Sequence, residues 1–423
     1  MDDSIIALII AGISLILYVT NIISVSLTAM LSALAMAFFG IISVADAFSG
    51  FASTAVLLII GMAIISDAFF HCGVGEKIGS ILYRENTSER KFVVIVYVIA
   101  TLLSGFFVGS VIVATFSPIV DSIAVRSNGK ITRKMVYIPL GIGAIIGGNV
   151  SVIGSTSMLN ASGILEESGF GRGLRFFETA PLIFPALIVC AFILMTFGYN
   201  WQKKCLDFED VLPESTANVD GQGDKITSKM VIVTVVMLVC IISFTTGIGD
   251  MGGISMLGAV AVILTGCVDE KTVYKRIDWQ VVFSVVGALG FAKGMDVSGA
   301  GKLLAEWLIE LCTPVLEGPF GMCCIILVLA TILSNFMSNN AAVVIFAPIG
   351  IFIAESFGVS PLPFVVAAAI GANLSVSTPI CTSTMTMTLV AGYRFKDYVK
   401  IGSIYNVASV VMTILSLRVI YFS

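Results

Sequence analysis

Polar positions are sparse along this chain, and their spacing sets the predicted elements. Apolar runs of about 20 residues, the length that crosses the hydrocarbon of a bilayer, recur from end to end. Charges punctuate these runs. They predict spans near 4–20, 22–40, 52–70, 134–149 with 156–166, 179–200, 231–247, 252–266, 279–295, 361–376 with 382–392, and 401–421. Two segments break the pattern. Between Lys91 and Asp121 lie 29 uncharged residues, and 37 run from Gly318 to Ala354. One span needs about 20 residues and two with a turn need more than about 40. The first run therefore predicts a re-entrant hairpin of two half-length helices over 92–124. Length alone leaves the second open.

An internal repeat resolves it. Residues 57–82, "LLIIGMAIISDAFFHCGVGEKIGSIL", align with 282–308, pairing Gly61 with Gly287 and Gly73 with Gly299, both 226 positions apart. Gly40 and Gly266 share that separation. "TLLSGFFVGSVIVATFSPI" (101–119) aligns with "TILSNFMSNNAAVVIFAPI" (331–349), and "GGNVSVIGSTSM" (147–158) with "GANLSVSTPICTSTM" (371–385). The second run is therefore a second hairpin, over 319–356. The expected architecture is an all-α polytopic membrane protein of about ten transmembrane helices, two re-entrant hairpins (92–124, 319–356) and two interrupted helices (134–166, 361–392). Residues 1–200 form the first repeat, 201–229 a polar cytoplasmic linker, and 230–423 the second repeat. Five spans per half make the second repeat inverted. Inverted repeats with broken helices are the mark of secondary transporters.

Composition sharpens this. The chain of 423 residues is 57% hydrophobic and only 12% charged, about half the charge of a soluble domain. Its net charge of −4 argues against a nucleic-acid partner and leaves the lipid bilayer as its surroundings. The nine cysteines form no C-x-x-C pair and read as small buried hydrophobes. The start, "MDDSIIALII", reads as a first membrane helix rather than a signal peptide. Placing loops 71–91, 121–134, 201–229, 267–278 and 393–400 inside puts 18 of the 23 basic residues there. Only Arg172, Arg175, Lys293, Lys302 and Arg418 remain outside. By the positive-inside rule the chain sits in the cell (inner) membrane with both termini outside.

Four polar clusters occupy corresponding places. Two are the hairpin tips, Ser104 to Ser110 and Ser334 to Asn340. Two interrupt spans, at Gly154-Ser155-Thr156-Ser157 and at Thr378 to Thr384. A broken helix frees carbonyls at one end, which suit a cation such as Na⁺. It frees N–H groups at the other, which suit an anion. Amides and hydroxyls are costly in hydrocarbon unless something satisfies them, so three asparagines in six residues mark a site.

These motifs carry a resemblance. "SNNAAVVIFAPI", "GGNVSVIGSTSM", "STPICTSTM" and "GYRFKDYVKIG" resemble the divalent-anion/sodium symporter family, the INDY-type dicarboxylate transporters, over nearly the whole chain. The resemblance implies two inverted repeats, an elevator-type motion, a homodimer, sodium as coupling ion, no cofactor, and a small anionic substrate. It implies sodium ligands at Ser334, Met337, Ser338, Asn339 and Cys381 in the second half, and at Ser104, Val108, Gly109 and Gly154 in the first. It implies substrate contacts from Asn339, Asn340, Thr382, Ser383, Ser155, Thr156 and Ser110. The family's Ser-Asn-Thr signature is altered in the first half, where Val108-Gly109-Ser110 stands and the amide is missing. A change in ion stoichiometry or substrate is therefore expected. An inorganic anion such as sulfate, or proton coupling, is the nearest alternative.

Other features point elsewhere. Asp67 and Lys293 lie at equivalent repeat positions, and an intramembrane charge invites a coupling role. The lone His71 cannot make a metal site. "GIGD", ending at Asp250, matches a string of intramembrane aspartyl proteases, but no second aspartate faces it from a span. Neither H-E-x-x-H nor a phosphate-binding loop occurs, so neither a metalloprotease nor an ATP-driven pump is supported.

Overall fold

A computed structural model of the chain describes residues 2–20, 22–75, 77–78, 87–127, 129–210, 227–312 and 318–422. Its regular structure is helical throughout, with no strand among the described residues. In chain order the first half holds α1 (Asp3–Thr20), α2 (Val25–Phe38), α3 (Thr54–His71), α4 (Glu89–Ser104), α5 (Gly109–Arg126), α6 (Arg133–Gly147), α7 (Thr156–Leu165) and α8 (Ala180–Cys205). The second holds α9 (Ser228–Thr246), α10 (Met251–Leu264), α11 (Trp279–Val297), α12 (Ala300–Cys312), α13 (Gly318–Ser334), α14 (Asn339–Ser356), α15 (Leu362–Asn373), α16 (Ser383–Met387) and α17 (Phe395–Tyr421). Among the described residues eight helices (α1, α3, α5, α8, α9, α11, α14 and α17) are long and apolar enough to cross a membrane. The protein is a multi-pass, all-helical membrane protein.

Burial follows the sequence pattern. Ile5, Ile9, Ile13 and Ile16 of α1 are exposed, as are Val231, Val235, Leu238, Val239 and Ile242 of α9. Such apolar stripes suit lipid. Helices α6 and α15 are instead buried almost all round and apolar on every side, as central helices must be.

The packing pairs run crosswise. Helix α2 lies on α11 and α10 on α3, while α4 lies on α6 and α13 on α15, and α8 lies on α17. The first two contacts are closest at the glycines that the repeat aligns. A Cβ on Gly61 would stand 2.5 Å from the Ser255 carbonyl carbon of α10, and one on Gly287 2.5 Å from the Met30 nitrogen of α2. Only glycine lets these backbones meet.

The hairpins differ from expectation in one respect. Helices α4, α5, α13 and α14 have 16, 18, 17 and 18 residues, about 24–27 Å at 1.5 Å per residue, so they are not half-length. The charges that bound the first run, Lys91 and Asp121, lie inside α4 and α5, and the carboxylates of Glu89 and Asp121 have partners there. Glu89 accepts from the Thr132 nitrogen (2.9 Å) and hydroxyl (2.6 Å), and Asp121 accepts from Arg133 Nε (2.6 Å) and the Tyr137 hydroxyl (2.7 Å). The second break is also lopsided. Helix α16 has only five residues and continues as a 3₁₀ turn, Thr388–Ala391.

Candidate functional site

Four helix starts meet at one place. A tight turn over 105–108 delivers the chain to α5, and its counterpart over 335–338 delivers it to α14. The breaks after α6 and α15 deliver it to α7 and α16. Ser155 (φ −146°, ψ 149°) and Thr382 (φ −139°, ψ 144°) adopt the same extended conformation just before α7 and α16. Each hydroxyl caps its helix, accepting from the Met158 nitrogen (3.2 Å) and the Met385 nitrogen (3.1 Å). Around these starts lies a cavity of about 550 Å³. Asp278 is the one charged side chain among the described residues lining it. It caps α11, accepting from the Gln280 nitrogen at 3.1 Å.

The amides are paired, not stray. Asn340 Oδ1 accepts from the Thr156 hydroxyl (2.8 Å), joining the two halves across the cavity. Asn339 Nδ2 donates to Asn373 Oδ1 (3.2 Å), and Asn339 Oδ1 accepts from the Ser375 hydroxyl (2.7 Å). Asn335 faces away from the cavity and braces the tip. Its Nδ2 donates to the Thr331 carbonyl (2.7 Å), its Oδ1 accepts from the Ser377 nitrogen (3.2 Å), and its own carbonyl accepts from the Thr378 hydroxyl (2.7 Å). One amide thus ties the hairpin tip to the neighbouring break.

A family model described as "Citrate transporter" (CitMHS) matches residues 15–351 and 317–423. The chain belongs to the citrate transporter family. Its members are transporters, not enzymes, and the protease-like "GIGD" string is accounted for otherwise, since Asp250 caps α10 by accepting from the Gly253 nitrogen at 2.8 Å. An uncharacterized transporter of Haemophilus influenzae is 24% identical over 94% of this chain and 87% of its own. The uncharacterized transporter YfbS of Escherichia coli is 30% identical over 38% of this chain. That match covers 27% of YfbS, so the chain spans about a quarter of that relative's length. The sodium-dependent dicarboxylate transporter SdcS of Staphylococcus saprophyticus is 24% identical over 70% of this chain and 60% of its own. Among solved structures, the YdaH transporter of Alcanivorax borkumensis superposes with a TM-score of 0.62 at 13% identity, covering 88% of this chain and 86% of that one. MtrF of Neisseria gonorrhoeae does so with a TM-score of 0.60 at 12% identity, covering 89% and 82%. Both show the fold.

In this citrate transporter family member, most residues singled out from sequence share the cavity wall. Val108, Gly109, Ser110, Gly154, Ser155, Thr156, Ser338, Asn339, Asn340, Cys381, Thr382 and Ser383 all line it. Ser104, Ser334 and Met337 do not; they are buried behind the tips. The Ser104 hydroxyl donates to the Ala144 carbonyl, and that of Ser334 to the Thr331 carbonyl at 3.1 Å. The carbonyls of Ser104 and Gly148 crowd against Gly154, where a Cβ would stand 2.5 Å from the latter. At the corresponding position Cys381 fills the space, its thiol donating to the Ser375 carbonyl (3.0 Å) and the Thr378 carbonyl (3.2 Å).

The missing amide of the first half also has a physical account. A Cβ on Gly109 would sit 3.0 Å from the Ala144 carbonyl oxygen and 3.2 Å from the Thr384 hydroxyl. Helix α6 and Thr384 have closed over the place an asparagine would occupy. Several wall residues carry no signal in the sequence. Ser24, Ser26, Gln280 and Ser284 come from α2 and α11 and their approaches, and the Ser284 hydroxyl, 2% exposed, has no partner. Asn373 lies within an aligned motif, yet nothing in that motif sets it apart. Asp67 and Lys293, toward the ends of α3 and α11, are paired with Arg276 (2.8 Å) and Asp46 (2.6 Å).

Proposed function

We propose that the chain is a sodium-coupled symporter of a small divalent anion, a dicarboxylate, held where the four helix starts converge. The observation that carries this is the cavity wall: residues opening α5, α7, α14 and α16 line it, and no lysine, arginine or histidine is among the described lining residues. A helix N-terminus is worth about +0.5 charge. Three helices of ten or more residues supply about +1.5 and the short α16 adds less, so much of a dianion's charge is met without a basic side chain. Sodium, a co-substrate, supplies the rest. Its ligands are oxygens of the kind found here, amide Oδ1, hydroxyls and unwound backbone carbonyls. Asn339 and Asn340 with Ser155, Thr156, Ser110, Thr382 and Ser383 would face the carboxylates. A relative whose name specifies sodium-dependent dicarboxylate transport, SdcS, supports the same reading.

In this reading α1–α3 and α9–α11 form the fixed scaffold, while the hairpins, the broken helices, α8 and α17 move together as the carrier in an elevator stroke. The repeats, 1–200 and 230–423, are inverted, and the hairpins re-enter from opposite sides to bring their tips to one cavity. That cavity opens beside residues 22–26 and 278–284, which the distribution of basic residues puts inside, so the form described is inward-open. Dimerisation would be through the scaffold.

Uptake into proteoliposomes under an imposed sodium gradient, proton gradient or neither, over a panel of dicarboxylates, citrate and sulfate, tests this. Sodium-driven dicarboxylate uptake that Asn339→Ala abolishes is expected. Equal uptake without sodium would refute the coupling, and unchanged uptake by Asn339→Ala would refute the site.

A further inference from the structure

A relay of three buried amides runs from the cavity wall to the backbone of α6, and its polarity is fixed at the far end. Asn149 is fully buried, and its Nδ2 donates to the carbonyls of Ile145 (3.3 Å) and Ile146 (3.2 Å). Carbonyls only accept, so the NH₂ of Asn149 must face them and its Oδ1 must face the other way. That oxygen accepts from Asn373 Nδ2 (3.1 Å), which also donates to the Ile145 carbonyl (3.3 Å). Both Asn373 protons are thereby used, and its Oδ1 is turned toward Asn339. There it accepts from Asn339 Nδ2 (3.2 Å) and the Ser157 hydroxyl (3.5 Å). One N–H of Asn339 is thus committed to Asn373, which sets the way the amide faces. Its Oδ1 takes one hydrogen bond, from Ser375, and keeps a second lone pair.

We infer that Asn149 and Asn373 are positioning residues that lock the Asn339 amide with its oxygen, not its NH₂, available to a cation at the cavity wall. An amide flipped by half a turn would present two protons to that cation and repel it. Asparagine at 339 can adopt either orientation with little change in shape; the relay removes the choice. Asn149 and Asn373 are themselves repeat counterparts, in "GGNVS" and "GANLS". The two halves therefore donate one amide each to a lock that serves the second half's site, the side that keeps its asparagine. The inference rests on the sodium reading of that site.

Asn149 is the residue to change, because it lies outside the cavity wall and two amides away from Asn339. Sodium alone is the probe. The purified full-length protein is melted across a sodium chloride series, with choline chloride holding ionic strength constant. Wild type is expected to be stabilised by sodium and not by choline. Asn149→Ala is expected to melt cooperatively in choline and to need about tenfold more sodium for half of the stabilisation. Asn149→Ser, whose hydroxyl can still donate to a carbonyl and accept from Asn373, is expected to shift that midpoint by about threefold, and serves if the alanine variant does not fold. A purely structural role would lower the melting temperature in choline and leave the sodium midpoint where it was, and that result overturns the inference. A wild type indifferent to sodium would overturn the coupling reading and this inference together. A wild type that responds, with both variants unchanged in midpoint, overturns this inference alone.

Discussion

The two glycine crossings allow a calculation that needs no assumption about substrate. Gly61 meets α10 and Gly287 meets α2, and an alanine at either would put its Cβ 2.5 Å from backbone atoms. Ordinary contact begins at 3.4 Å, so each helix pair must part by about 0.9 Å, since backbone, unlike a flexible side chain, cannot swing aside. A gap of that size forfeits roughly a quarter to a half of the dispersion attraction along the crossing. Overpacking of this kind costs about 1–3 kcal/mol. Alanine's advantage in helix propensity offsets little of that, because a membrane span keeps its backbone hydrogen bonds even when tertiary packing is lost. Gly61→Ala and Gly287→Ala should each destabilise by about 1–3 kcal/mol, and the double variant by their sum within about 0.5 kcal/mol, since the sites share no partner. Equilibrium unfolding in mixed micelles reads this. Gly12→Ala is the control, because nothing lies within 4 Å of a Cβ at that position. If Gly61→Ala behaves like Gly12→Ala, the close-crossing account is wrong.

Three more outcomes are expected. Asn335→Ala leaves the part-buried Ser377 N–H without its acceptor and loses the buried bond to Thr331, which should cost about 1–3 kcal/mol in the same unfolding assay; a neutral result would mean that the brace between tip and break is dispensable. Asp67→Asn removes a partly exposed pair with Arg276, so stability should change by no more than about 1 kcal/mol and uptake should keep its pH profile, whereas a lost profile would make Asp67 a proton carrier. Glu178 is bound in bidentate fashion by Arg172 (2.7 and 2.8 Å) and accepts from the Arg175 nitrogen (2.9 Å). Burial pushes its carboxyl up, but these bonds outweigh that and hold it below the usual carboxylate range. A lowered carboxylate stabilises above its unfolded value of about 4.5, and the contribution fades as pH falls through the lower folded value. Arg172→Met should therefore melt lower than wild type at pH 7, with the gap closing on acidification; a gap independent of pH would refute this.

The breaks and hairpin tips are legible in the sequence because small polar residues in a long apolar run are costly unless the helix opens or turns beside them. The repeat register sets Gly61 opposite Gly287, and both are crossing points. Hairpin length escapes the sequence because Lys91 and Asp121 look like membrane boundaries, although both sit inside helices and Asp121 is met there by the buried Arg133 and Tyr137. Ser24, Ser26, Gln280 and Ser284 are invisible there because they belong to otherwise ordinary helix starts, and only tertiary packing turns them toward the cavity. Asn335 looks like a ligand by composition. Its two-sided bonding to Thr331 and Ser377 makes it a brace, a distinction that rests on direction and not on residue type.

The two ion pairs at the ends of α3 and α11 carry a consequence for assembly. Asp67 reaches Arg276 at the end of a short helix before α11 (Glu270–Arg276), while Lys293 reaches Asp46 in a short helix before α3 (Val44–Ala47). Helix partner and short helix have exchanged sign between the halves. Two copies of the first half, docked the same way, would set Asp67 against Asp46; two copies of the second would set Lys293 against Arg276. Each half repels its own copy at these positions and attracts the other, so the partly exposed charges bias assembly against self-pairing without deciding it alone.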